Sequence, residues 1–219
     1  MIRAIVLAGG ASSRMGQAKA ALPLGPTGQT VVGRVVHTLL AAGLPSVAVV
    51  AGAHIDAVRA AMPAFEPRAR VVEHPGWAAG QLSSLLAGLA AVDDPQLEAI
   101  LVTLVDVPLV RPDSVAAIVA AWRQSRAPIV RPVDPSTSLR AGGARHGHPV
   151  IFDRAVFDDL RRADLTVGAK AVFAAHASRR LDVSIKDEGA FVDMDTPEEY
   201  QRVLGSSGRF GEVQKVPSK

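Results

Sequence analysis

The chain has 219 residues, 48% of them hydrophobic, with 24 Lys and Arg against 21 Asp and Glu and a formal net charge of +3. That length and apolar content suit one domain with a sizeable core and exclude wholesale disorder. Without a cysteine, disulfides and thiolate metal sites are excluded too. The basic residues are scattered and aromatics make up only 4%. A small anionic substrate therefore accounts for the balance, and no nucleic-acid partner is expected. No apolar run reaches the roughly 18 residues that span a bilayer, and no secretory leader is read, so no membrane association and a cytoplasmic location are expected.

Ile2 to Leu7 is a short apolar run that stops at Gly9 and Gly10, the pattern of a strand buried on both faces of a parallel sheet. Next, TVVGRVVHTLLAAG sets Val31, Val32, Val35, Val36, Leu39 and Leu40 on one helical stripe, with Thr30 a start cap and Gly43 a stop. SVAVVAG and RVVE read as strands around a short helix, HIDAVRAAM. QLSSLLAGLAAV is a helix and EAILVTLVDVP the most apolar strand. PDSVAAIVAAWRQ follows as a helix that Asp113 or Ser114 can cap. This alternation implies a parallel α/β sheet with both faces covered.

The second half is less regular. PIVRPV and HPVIF read as strands joined by DPSTSLRAGGARHG, a surface loop rich in Ser, Gly, Arg and Pro. RLDVSI and FVDMD read as short strands, and TPEEYQRVL as a helix with Pro197 in its first turn. His37 and His176 fall in helical stretches and read as surface residues, while Trp122 reads as buried.

The loop after the first strand, LAGGASSRMGQAKAALPL, has the ingredients of a phosphate cradle. Gly9 and Gly10 let backbone N–H groups approach a ligand, Arg14 can fork onto phosphate oxygens, and Lys19 adds a point charge. It lacks the GK-S/T ending of a P-loop and does not fit G-x-G-x-x-G. A plain strand-to-helix turn with solvated basic residues is the alternative. Asp106, closing the most apolar strand, is either a turn residue before the next helix or a magnesium ligand. Asp193 and Asp195 alternate along the expected strand FVDMD and would share one face, although Asp195 before Thr196-Pro197 also suits a helix cap. Ser83 and Ser84 lie near a helix start with free donors, and Gly80 permits close approach. The HGHP stretch superficially suggests a metal site, but two imidazoles without a third ligand more often serve otherwise. Trp77 suits packing more than a ligand contact.

These stretches together resemble the MobA-like NTP transferases, which include the molybdenum cofactor cytidylyltransferases and guanylyltransferases. The opening loop is similar to the family's L-A-A/G-G-x-S-x-R-M-G-x-x-K-x-L. HPGWAAGQLSSLLAGL resembles its W-x-x-G-x-x-S-S-L-x-x-G segment, and LVTLVDVPLV its D-x-P segment. GHPVIFDRAVFDDL and FVDMDTPEEY resemble its G-H-P loop and its closing D-x-D-T-P-E-D/E motif. The match runs from about residue 2 to 203 in one order, implying a single domain over 1–204, while 205–219, polar and without periodicity, reads as a disordered tail. The implied fold is α/β, a Rossmann-like three-layer sandwich of nucleotide-diphospho-sugar transferase type. Its sheet is mostly parallel, with a small antiparallel C-terminal extension.

The resemblance implies transfer of a nucleoside monophosphate from CTP or GTP to the terminal phosphate of molybdopterin, with pyrophosphate released. Leu7, Ala8, Gly9, Gly10, Ser12, Ser13, Arg14, Gly16 and Lys19 would wrap the nucleotide, and Gly80, Ser83 and Ser84 would face its base and ribose. Arg14, Lys19 and Asp106 would be catalytic. Asp106 and Asp195 would hold Mg2+ with Asp193 in support, and His148 with Arg145 would meet the acceptor. A molybdoenzyme maturation partner is a further implication. This chain has Val105 where many members have Gly, and a longer linker before G-H-P, so the acceptor side departs most from the family. LAGG leans towards guanylyltransferases while W-x-x-G and G-H-P lean towards cytidylyltransferases, which leaves the base open. The rival classes are a transferase for another phosphorylated acceptor (a sugar phosphate or phospho-acid), a non-catalytic cofactor carrier, and a dinucleotide-dependent oxidoreductase; the missing G-x-G-x-x-G weakens the last.

Overall fold

Seven strands and seven α-helices follow one another in a computed structural model that describes residues 1–24, 28–64, 66–137 and 144–207. The strands are β1 (Ile2–Ala8), β2 (Val47–Ala51), β3 (Ala69–Glu73), β4 (Ala99–Leu104), β5 (Ile129–Val133), β6 (Val150–Asp153) and β7 (Leu181–Ser184). The helices are α1 (Val31–Ala41), α2 (Ile55–Ala61), α3 (Gln81–Val92), α4 (Pro112–Ser125), α5 (Phe157–Arg162), α6 (Lys170–Ala175) and α7 (Pro197–Ser207). They build one sheet in the order β3-β2-β1-β4-β6-β5-β7. Its antiparallel component is β6, which lies inside the sheet between β4 and β5 and runs against both. All other pairs are parallel.

Side chains alternate along β1, so two cores form on opposite faces. Ala4, Val6 and Ala8 join α1 and α4 in one core, and Ile5 and Leu7 join α3, α5 and α6 in the other. This three-layer arrangement places the ends of β1 and β4 side by side, with Leu7 opposite Leu104. The chain order reverses between these two strands, which opens a crevice beyond their carboxyl ends where such sheets take ligands.

Some local expectations are corrected. FVDMD is no strand: Glu188–Phe191 is a 3-10 turn, and residues 192–195 pair with no strand. Met194 anchors this segment instead, its side chain buried and its N–H donating to the Asp106 carbonyl at 2.9 Å. Neither Asp113 nor Ser114 caps α4. The remote Asp187 carboxylate does so, accepting from Arg111 N–H at 2.9 Å and from Ser114 Oγ at 2.6 Å. His176 is buried, donating through Nε2 to Asp159 and accepting from Arg179 at Nδ1. His37 is half-buried, with Nε2 shielded and unpartnered among the described residues. Trp122 is buried, and its indole N–H donates to Asp153 at 3.0 Å. Helix α7 runs three residues past the expected domain end at 204; the rest of the expected tail, and residues 138–143 of the expected surface loop, lie outside the described residues. Among the described residues no helix is long and apolar enough to cross a membrane.

The seat of α3 on the sheet depends on Gly88. A Cβ there would stand 2.7 Å from Ile5 Cγ2 and 2.9 Å from Val50 Cγ2. Gly88→Val is therefore expected to cost about 3 kcal/mol by overpacking, read as a lower urea midpoint at unchanged slope.

Candidate active site

The crevice holds a cavity of about 370 Å³ beyond β1 and β4. Leu7, Ala8, Gly9, Gly10, Ser12 and Lys19 line it from the first loop, and Asp106 from the turn after β4. Gly80 and Ser84 line it from the start of α3, where Gly80 holds φ +103, a conformation other residues rarely adopt. A Cβ on Gly9 would come within 3.1 Å of Ser84 Oγ, so the glycine keeps the loop close to α3. The turn is tightened by Met15 N–H and Gly16 N–H, both donating to the Ser12 carbonyl.

Lys19 sits on a short 3-10 turn and is only 9% exposed. Its ammonium meets both carboxylates proposed from the sequence. It bonds Asp195 directly and lies 3.6 Å from Asp106 Oδ2. Arg14, largely exposed, reaches the other oxygen of Asp195 at 2.5 Å. Two carboxylates sharing one ammonium are within joint reach of one hydrated ion. Asp195 is no helix cap. Thr196 and Glu199 form that cap, Glu199 accepting from Asp195 N–H and Thr196 N–H while Thr196 Oγ1 accepts from Glu199 N–H. The Asp195 side chain is thereby left for the cations.

The two carboxylates are held unequally. The Lys19 bond, with help from Arg14, keeps Asp195 below the usual carboxylate range. Burial pushes Asp106 up, against the pull of Lys19, and Asp195 and Asp193 push it further. Its Oδ1 is buried without a hydrogen-bond partner among the described residues. An orphaned carboxylate oxygen beside a second carboxylate is the environment a hard divalent cation relieves. Asp193 is exposed and acts on Asp106 through space. No three His, Asp or Glu side chains among the described residues cluster tightly enough to hold a metal alone. Phosphate oxygens would have to complete such a site.

Several expected residues stand elsewhere. Ser13 is exposed and, like Gly16, does not line the cavity. The Ser83 hydroxyl is engaged locally: Oγ donates to the Gly80 carbonyl at 2.7 Å and meets His74 Nε2 at 3.1 Å, which ties the turn before α3. Trp77 both packs on Gly52 and lines the cavity.

A second cavity of about 510 Å³ adjoins the first through Leu7, Gly80, Gln81 and Leu104. His148 lines it, half-buried, with Nδ1 unpartnered among the described residues; burial lowers its pKa, against an opposing pull from the Val102 backbone. Arg145 does not reach this cavity. It bonds the Phe191 carbonyl and lies over the Phe191 ring, because its stretch runs past the turn before Met194. His54 and Gln81 in the first cavity, and Arg131, His146 and Lys170 in the second, were not singled out for these sites from the sequence. Arg131 alone carried a signal, being the one charge in an apolar strand, PIVRPV.

The MobA-like NTP transferase domain family matches residues 4–181. Nicotine blue oxidoreductase from Paenarthrobacter nicotinovorans is 31% identical over 205 residues, 93% of this chain and 96% of that protein. The crystal structure of Rv0371c from Mycobacterium tuberculosis H37Rv is 29% identical, with TM-score 0.75, covering 94% of this chain and 99% of that one. A second structure of Rv0371c is a complex with manganese, 30% identical over 94% and 98% of the chains with TM-score 0.67. A nucleotidyl transferase from Methanothermobacter thermautotroptrophicus shares the fold at TM-score 0.76 and 23% identity, over 96% of this chain and 99% of that one.

Ser12 holds φ +50, a region in which branched side chains are strained. Ser12→Val is expected to lower stability by about 1–3 kcal/mol in chemical denaturation, whereas Ser12→Gly should not.

Proposed function

The chain belongs to the MobA-like NTP transferase family, a family of nucleotidyltransferases, and on that premise we propose that it moves a nucleoside monophosphate from CTP or GTP to the terminal phosphate of molybdopterin. The observation that carries this reading is the meeting of Lys19, Asp106 and Asp195 beside the glycine loop.

In this reaction an acceptor phosphate oxygen attacks the α-phosphorus of the NTP in line. The bond from the α-phosphorus to its bridging oxygen breaks, and pyrophosphate leaves with the electron pair. The protein needs no nucleophile of its own; it supplies position and charge. The Gly9–Gly10 backbone admits the triphosphate closely, and Lys19 and Arg14 exchange Asp195 for phosphate oxygens as charge builds on the leaving group. The orphaned oxygen of Asp106 and the carboxylate of Asp195 suit Mg2+, with Asp193 in support. When bound, the ion would neutralise phosphate charge. His148 faces the second cavity, where the acceptor would lie.

A second reading rests on one finding: the relative at 31% identity is named as an oxidoreductase. The same crevice would then take a redox nucleotide.

With Mg2+ and all four NTPs, molybdopterin is expected to drive pyrophosphate release with CTP or GTP, and sugar phosphates or phospho-acids are not. Lys19→Met and Asp106→Asn should each lower kcat by about 10²–10³ in the same assay. Tight NADH or NADPH binding by fluorescence titration, together with no pyrophosphate from any pair, would instead favour the oxidoreductase.

A further inference from the structure

The second cavity differs in chemistry from the first. Its floor is apolar, built by Leu85, Val102, Val150, Phe152 and Phe173, and Leu165 and Val167 stand exposed at its rim. The rings of Phe152 and Phe173 meet edge to face with centroids 5.6 Å apart. Among the described residues no acidic side chain lines the cavity, whereas Arg131 and Lys170 do.

Arg131 is the unusual member. It comes from β5, is mostly buried, and lies over the Phe173 ring at 5.6 Å. Nε and Nη2 donate to Asp182 of β7 at 2.7 and 3.3 Å, and Nη2 also donates to His146 Nε2 at 2.8 Å. The fork is therefore held from two sides through Nε and Nη2, and Nη1 makes no hydrogen bond among the described residues. Arg180 shares Asp182 at 3.2 Å, so one carboxylate serves two guanidinium groups and the end wall keeps a net positive charge. A mostly buried arginine that is fixed by a carboxylate and an imidazole, lines an apolar cavity and keeps one nitrogen unbonded has the chemistry to meet an anion.

We infer that the second cavity takes a flat, largely apolar ring system bearing an anionic oxygen, and that Arg131, fixed by Asp182 and His146, binds that oxygen through Nη1. The ring lies on the floor beside Phe173, and Leu165 and Val167 cover its outer edge. In calling this ligand an acceptor the inference rests on the nucleotidyltransferase reading, and it names an acceptor class beside molybdopterin, whose anionic oxygens are those of the reacting phosphate: here the anchored oxygen sits away from that phosphate, which lies towards Leu7 and Gly80, where the cavities join. Arg131 is then a specificity-determining residue that selects the acceptor by its far end.

Two probes of equal shape test this, 2-naphthoate and 2-naphthalenemethanol, titrated by their own fluorescence against the full chain. The naphthoate is expected to bind about 10-fold more tightly or better, the size of one hydrogen bond between charged groups. Arg131→Met should erase the preference and leave the uncharged probe unchanged, with melting confirming the fold. Should that variant not fold, Arg131→Lys, which cannot keep the fork, should cut the preference several-fold. Thr166→Trp at the exposed rim should weaken both probes. A preference that survives Arg131→Met or Arg131→Lys, or naphthoate displaced by CTP, would overturn the inference. A parallel titration with CTP and GTP in Mg2+ separates the two ideas. If neither nucleotide binds while the naphthoate preference still needs Arg131, the transferase reading fails and the anion site stands.

Discussion

A buried ammonium must be paired, and the pairing of Lys19 organises this molecule. Its partners come from the turn after β4 and from the segment before α7, the latter 176 residues away in the chain. The first loop and the last segment are thus clasped by one charge. Met194 reinforces the clasp by bonding the backbone of Asp106, and the cap of Thr196 and Glu199 holds Asp195 in place. Without the closing segment, Lys19 would face Asp106 alone and Arg14 would lose its partner.

The sheet explains why such a charge cluster can exist beside a dry core. Strands β1 and β4 end side by side, Leu7 opposite Leu104, and Asp106 follows two residues beyond that edge. All three charges stand beyond that edge, Lys19 on its 3-10 turn, Asp106 on the turn after β4 and Asp195 just before α7. The insertion of β6 between β4 and β5 brings the segment of His146 and His148 beside the first crevice and sets Arg131 at its far wall. The result is two adjoining cavities of opposite character, one of glycine backbone and charge, the other of aromatic floor.

A chain of a transferase family that is 31% identical to a protein named as an oxidoreductase illustrates that the scaffold alone does not choose the reaction. What a site can do follows from its side chains. Here the charged cavity suits a polyanion and the aromatic one a ring, and the boundary between them is the place where two substrates would meet.

The alternating strands and helices of the first half were legible, because burial on two faces leaves continuous apolar runs and α3 carries its own pattern, starting at the expected Gln81. Gly9, Gly10, Lys19, Asp106 and Asp195 were legible as candidates from residue type and spacing. The short α5 escaped, since six residues carry too little periodicity to stand out. FVDMD misled because its alternation reflects Met194 turning into the core rather than a strand ladder. The cap of α4 by Asp187, the bond of the Ser83 hydroxyl to its own turn and the contact of Arg145 with Phe191 were equally unreadable. By itself the sequence determined the alternating architecture and the chemistry of the loop, for these rest on local pattern. Only the tertiary structure decided which carboxylates meet Lys19 and that Arg131 faces a cavity, because hydrogen bonds between distant segments leave no periodic trace along the chain.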